Sequence, residues 1–111
     1  MAFDEVLAQR IREALRPEGD VIERRMFGGV AFLVHGNMSV SASGQGGMLV
    51  RVDPAMTEEL TSDPNVHIAV MRGREMPGWL RVDGAGLESA AQLRAWVQRG
   101  VAFARSLPTK R

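Results

Sequence analysis

The chain has 111 residues, 45% of them hydrophobic and 24% charged, with 14 basic and 13 acidic groups and a formal net charge of +1; that suits one domain spanning residues 1–111 and excludes a disordered chain. No apolar run approaches the roughly 18 residues that a spanning helix needs, and residues 1–16 lack the layout of a secretory signal, so the expected location is cytoplasmic with no membrane contact. Absence of cysteine removes disulfides, thiolate metal sites, iron–sulfur clusters and thiol redox chemistry, and near-neutrality removes the strong positive field of a free-standing nucleic-acid binder.

Along the chain, Phe3, Val6, Leu7, Ile11, Ala14 and Leu15 recur at the spacing of one helical face, with Arg10, Arg12 and Glu13 turned elsewhere. A first helix is predicted, with Asp4 and Glu5 at its positive end and Arg12 and Arg16 toward the other. Pro17 and Gly19 stop it.

The texture then changes to β-rich runs at residues 21–27, 30–34, 38–43 and 48–52, cut by Gly28-Gly29, Gly36-Asn37 and Gly44-Gln45-Gly46-Gly47. These separators accept positive φ, so an antiparallel meander is expected. In the third run Met38, Val40 and Ala42 alternate with Ser39, Ser41 and Ser43, which predicts one packed face and one solvent-facing serine face. In the second run Val30, Phe32 and Val34 point one way and Ala31 and Leu33 the other. That strand is either central and covered twice or part of a sheet that meets a partner. The register stays open: a two-residue turn at His35-Gly36 or Gly36-Asn37 puts Phe32 on the serine face, and a three-residue loop puts it with Val40.

Asp53-Pro54 starts a short helix to about residue 60, because an aspartate cap satisfies one orphan amide and proline removes another. A turn at 62–65, a strand at 66–71, a loop through Gly73 and Pro77-Gly78 and a last strand at 79–82 follow. From about Leu87, the residues Leu93, Trp96, Val97, Gly100, Val101, Ala104 and Leu107 mark a long amphipathic helix closed by Pro108 and a basic tail. The expected fold class is α+β: a two-layer sandwich in which a curved antiparallel sheet of five to six strands carries the N- and C-terminal helices on one face.

Residues that could carry chemistry are few. His35 and His67 have no histidine or carboxylate at ligand spacing and read as a hairpin-turn residue and a strand-edge residue. Ser39, Ser41 and Ser43 lie on a strand and not at a nucleophile elbow. Ser43-Gly44-Gln45-Gly46-Gly47 lacks the ending of a phosphate loop and joins two strands, so it reads as a hairpin turn. Glu58 and Glu59 are helix neighbours that do not face each other. No catalytic residue, cofactor site or metal site is expected, and Met26, Met38, Met48, Met56, Met71 and Met76 read as core filling.

Arginine supplies thirteen of the basic residues and Lys110 the remaining one. Arg24, Arg25, Arg51, Arg72 and Arg74 are the candidate contacts for a nucleic acid or another anion if they gather on one side. The competing expectation pairs several of them with Glu23, Asp53, Glu75 and Asp83. Aromatic residues are 5% of the chain, too few for a broad base-stacking surface.

The run Arg24-Arg25-Met26-Phe27-Gly28-Gly29, then Gly36-Asn37-Met38 and Leu49-Val50-Arg51-Val52-Asp53, resembles the N-terminal domain of the TfoX/Sxy family of bacterial competence regulators. Met76-Pro77-Gly78-Trp79, Leu93, Trp96-Val97 and Ala104-Arg105-Ser106-Leu107-Pro108 extend the resemblance over nearly the whole chain. It implies helices packed on a curved antiparallel sheet and a link to transcriptional control of DNA uptake. Full-length competence regulators of the family carry a second, C-terminal domain, and this chain corresponds to the first. Within the motif, Met26 and Phe27 read as core anchors beside Arg25, and Gly28-Gly29 as a bend or bulge.

The function expected from these readings is that of a non-enzymatic regulatory or adaptor domain acting on a protein partner, with a homodimer through the doubly apolar strand at residues 30–34 as one form. The alternative is a nucleic-acid-binding regulator that uses the arginines.

Overall fold

The computed structural model describes residues 4–26 and 28–109. Helix α1 spans Glu5–Leu15, and its first turn is capped by Asp4, whose Oδ1 accepts from the amides of Val6 and Leu7 at 2.9 and 3.0 Å. Leu7, Ala8, Ile11 and Leu15 are buried, whereas Val6 is 70% exposed and so leaves the predicted apolar stripe. Phe3 lies outside the described residues.

Strands β1 (Val21–Met26), β2 (Gly29–Val34), β3 (Asn37–Ala42) and β4 (Met48–Arg51) form the meander. Strand β5 (Val66–Met71) and strand β6 (Arg74–Val82) form a hairpin that joins through β6, giving one antiparallel sheet ordered β1-β2-β3-β4-β6-β5. Between β4 and β5, Asp53 caps a 3₁₀ turn at Pro54–Met56 by accepting from Ala55 N at 2.9 Å, and helix α2 spans Thr57–Leu60. Helix α3 runs over Ala90–Ser106 behind a capping box of Ser89 and Gln92, later than the expected start at Leu87 because residues Gly84–Leu87 form a 3₁₀ turn. Among the described residues no helix is long and apolar enough to cross a membrane.

Hairpin β2–β3 settles the register by a route outside the two alternatives. The turn has two residues, His35 and Gly36, both at positive φ (53° and 81°), and it pairs Val34 with Asn37 and Leu33 with Met38. A strict ladder would next place Phe32 opposite Ser39. Instead Ser39 is an extra residue, and Phe32 pairs with Val40. This β-bulge moves Val40 and Ala42 onto the helix-covered face and leaves Met38, Ser41 and Ser43 on the other. The expectation of a packed Met38–Val40–Ala42 face is therefore corrected. So is that of solvent-facing serines, since Ser39, Ser41 and Ser43 are 0%, 4% and 6% exposed. The Ser39 hydroxyl donates to the Phe32 carbonyl at 2.9 Å, satisfying a group inside the irregularity.

Phe32, Val34, Val40, Val50, Leu80 and Val82 form the sheet side of the core, against Ile11, Leu15, Leu93, Val97, Val101 and Ala104 of α1 and α3. Truncating Phe32, which is 1% exposed, to alanine would cost about 3–5 kcal/mol. Every residue of β2 is buried. The strand offered by the sequence as an apolar surface for a second copy is thus covered on both faces.

Strand β6 starts earlier than predicted. Arg72 and Gly73, at φ 54° and 77°, make a two-residue turn, and Pro77-Gly78 is a bulge inside a nine-residue strand, not a loop before it. Proline is tolerated there because a bulge position needs no ladder donor. Gly78, at φ 86°, donates to Thr57 Oγ1 at 2.9 Å and accepts from Val52 N at 2.8 Å, which seats α2 on the sheet.

Two contacts fasten α3. Its Gly100 lies against the bulge so closely that an added Cβ would sit 2.5 Å from the Ser39 oxygen. Near its end, Arg105 donates to both carboxylate oxygens of Asp20 at 2.8 and 2.9 Å and to Glu18 at 2.8 Å, and His35 Nε2 lies 3.0 Å from Asp20. The guanidinium, and less so the imidazole, hold the Asp20 carboxyl down to about 2.

Two outcomes follow from this packing. Gly100→Ala should lower unfolding free energy by about 1–3 kcal/mol in urea titrations, because the clash outweighs the gain in helix propensity. Gly84→Ala, where no atom lies within 4 Å of the added carbon, should be near neutral. Because the folded-state pKa of Asp20 is depressed, its contribution to stability is complete above the ordinary aspartate value of about 4 and is lost as pH falls toward the folded value. Arg105→Ala should move the Asp20 carboxyl titration, followed by carbon NMR, up toward the ordinary range.

Candidate binding groove

The sheet face away from the helices is built by strand alternation and by the two bulges. Met38 and Ser41 come from β3, Leu49 from β4, Ala69 and Met71 from β5, Met76 and Trp79 from β6, and Met26 from β1. The sheet does not close, yet its two edge strands both contribute, so coiling brings Met26 and Met71 to one apolar groove of about 220 Å³. The core-filling expectation for methionine holds for Met48, which is 0% exposed. It is corrected for Met26, Met38, Met71 and Met76, which are half-buried walls of the groove.

Two serines lie on the groove floor. The Ser43 hydroxyl accepts from Gln45 N at 3.1 Å within the β3–β4 turn. The Ser41 hydroxyl, on a residue 4% exposed, has no hydrogen-bond partner among the described residues.

The predicted arginines separate. Arg25 pairs across the ladder with Val30 and so faces the helix side of β1, and its side chain is engaged in an interaction of its own. Arg24 pairs with Ala31 and shares the groove face with Met26. Arg74 pairs with Met71 and shares that face with Met76, while Arg72 sits in the hairpin turn. Arg51 is used internally, its guanidinium 4.9 Å from the Trp79 ring and 5.7 Å from the Phe103 ring.

Three of the four carboxylates expected to neutralise these arginines are committed elsewhere, and Glu75 faces the other side of β6. Glu23 takes Arg12 at 2.5 and 2.8 Å, which lowers the Glu23 pKa, Asp53 caps the turn before α2, and Asp83 lies 2.7 Å from His67. Arg24, Arg72 and Arg74 make no side-chain hydrogen bond, ion pair or ring contact among the described residues. Arg81, also on the groove face by its pairing with Leu49, donates to Gln45 at 2.8 Å and keeps a buried Nε without a partner.

In the motif, Gly28 is a turn residue at φ 76°, and Gly29 opens β2 where a Cβ would fall on the Ala42 carbonyl oxygen. Met26 belongs to the groove and not to the core. Phe27 lies outside the described residues. Each histidine, isolated in sequence, meets one aspartate in the fold: His35 meets Asp20, and His67 meets Asp83. Neither imidazole bonds a hydroxyl, and no group of three or more metal-ligating side chains occurs among the described residues.

A signal for the groove was present in the excess of methionine on β-rich segments. It was obscured because the Ser39 bulge inverts which alternate residues of β3 share a face.

The family model of the TfoX N-terminal domain matches residues 13–104, and the chain belongs to that family, among the competence-regulator-like proteins. No curated protein matches the chain.

Proposed function

We propose that this member of the TfoX N-terminal domain family is a non-enzymatic regulatory domain that acts by binding a protein partner through the methionine-walled groove. The single observation that carries this reading is the placement of Met26, Met38, Met71 and Met76 on the open face of the sheet while Met48 alone of the strand methionines is buried in the core. Flexible thioether side chains adapt to the shape of an incoming apolar residue, and surfaces built from them serve peptide recognition.

Size supports the same reading. At about 220 Å³ the groove is smaller than the roughly 300–1,000 Å³ that drug-sized ligands and cofactors occupy, and it suits one or two anchoring side chains. The nucleic-acid reading has less support, because among the described residues Trp79 is the one aromatic side chain in the groove wall and the predicted arginines divide between two faces.

Benzoylphenylalanine incorporated at Met71 in the native cell should photo-crosslink to a discrete polypeptide, and Leu49→Lys in the same chain should abolish the adduct. The same probe at Ala95, exposed on α3, should give none. Adducts to nucleic acid, or polypeptide adducts only from Ala95, would refute the reading.

A further inference from the structure

Resting on that reading, we propose that the groove selects a peptide segment in which one or two bulky apolar side chains are flanked by aspartate or glutamate. The first support is electrostatic. Arg24 and Arg74 share the face of the groove walls and carry no partner among the described residues; Arg24 comes from the edge strand β1, and Arg74 from β6 at its turn to the other edge strand, β5.

Among the described residues, the strand positions on this face carry no carboxylate. Glu23 and Glu75 pair with Phe32 and Val70 and point to the other side. An apolar floor between uncompensated guanidiniums complements an apolar anchor with an anionic flank, and guanidinium–carboxylate pairs there can be bidentate.

Ser41 is the second support. On a residue 4% exposed, its hydroxyl makes no hydrogen bond among the described residues and lines the groove, so a peptide carbonyl or amide reaching the floor can bond it. The same charge pattern selects against a second copy of the chain, since two facing grooves would oppose like charges.

The test is selection of a random dodecapeptide library, displayed on phage, on the full chain, with depletion on the Leu49→Lys chain and, as a second groove block, Met71→Lys. Circular dichroism reports whether each variant is folded. The expected sequences hold paired bulky apolar residues beside Asp or Glu. Selection on the Arg24→Glu/Arg74→Glu chain, altered only at exposed positions, should switch the flanks to Lys or Arg. A synthetic peptide from the first selection should bind that double variant roughly tenfold more weakly, and should weaken with added salt.

Groove-dependent sequences with no charge preference, or the same acidic flanks on the double variant, would overturn the inference and leave the protein-binding reading standing. Failure of any groove-dependent sequence to enrich would overturn both. Self-association in light scattering that Leu49→Lys abolishes would replace the acidic segment with a second copy.

Discussion

One extra residue in β3 governs how this domain divides its surface. With Ser39 bulged, Phe32 stands opposite Val40, and both enter the core beneath α3. The Ser39 carbonyl displaced by the bulge occupies the space that a side chain at Gly100 would need, so the long helix can approach β3 only because residue 100 has no Cβ. Register, core composition and helix docking are therefore one constraint with several visible parts. The Ser39 hydroxyl completes it by bonding the Phe32 carbonyl across the irregularity.

That constraint also creates the second face. Because alternation resumes beyond the bulge in the opposite phase to that of a regular ladder, Ser41 falls beside Leu49 and opposite the helices. Stiff branched side chains fill the helix-covered face, and adaptable ones collect on the other, where Met26, Met38, Met71 and Met76 surround Ser41. A purely structural face would be expected to bury these side chains as fully as Met48. Arginine divides in the same way: Arg51 joins two rings of the protein itself and Arg105 ties α3 to Asp20, while Arg24 and Arg74 remain beside the groove without partners among the described residues.

Much of the framework was legible in residues whose effect is local. Asp4, Asp53 and the turn glycines act through the backbone next to them, so the starts of the first two helical segments and the turns after β2 and β3 fell where the chain pattern put them. The α+β class and the helices on one sheet face followed from periodicity. What escaped depended on contacts distant in sequence. Nothing in Met38-Ser39-Val40 announces that Gly100 of α3 will accept a bulge there, and Pro77-Gly78 reads as a strand break until Thr57 and Val52 supply its hydrogen-bond partners. The pairing of Arg12 with Glu23 and of His67 with Asp83, which leaves those carboxylates unavailable to the groove arginines, is likewise set only by the sheet order and helix placement.

The claim on which this account rests is that the sheet has one sealed face and one open, methionine-walled face. Its most direct test is the attenuation of methionine ε-methyl NMR signals by a neutral nitroxide in solution. The Met26, Met38, Met71 and Met76 signals should broaden strongly while Met48, 0% exposed, stays sharp. Protection of those four methyls equal to that of Met48 would contradict the account, because the face opposite the helices would then be closed.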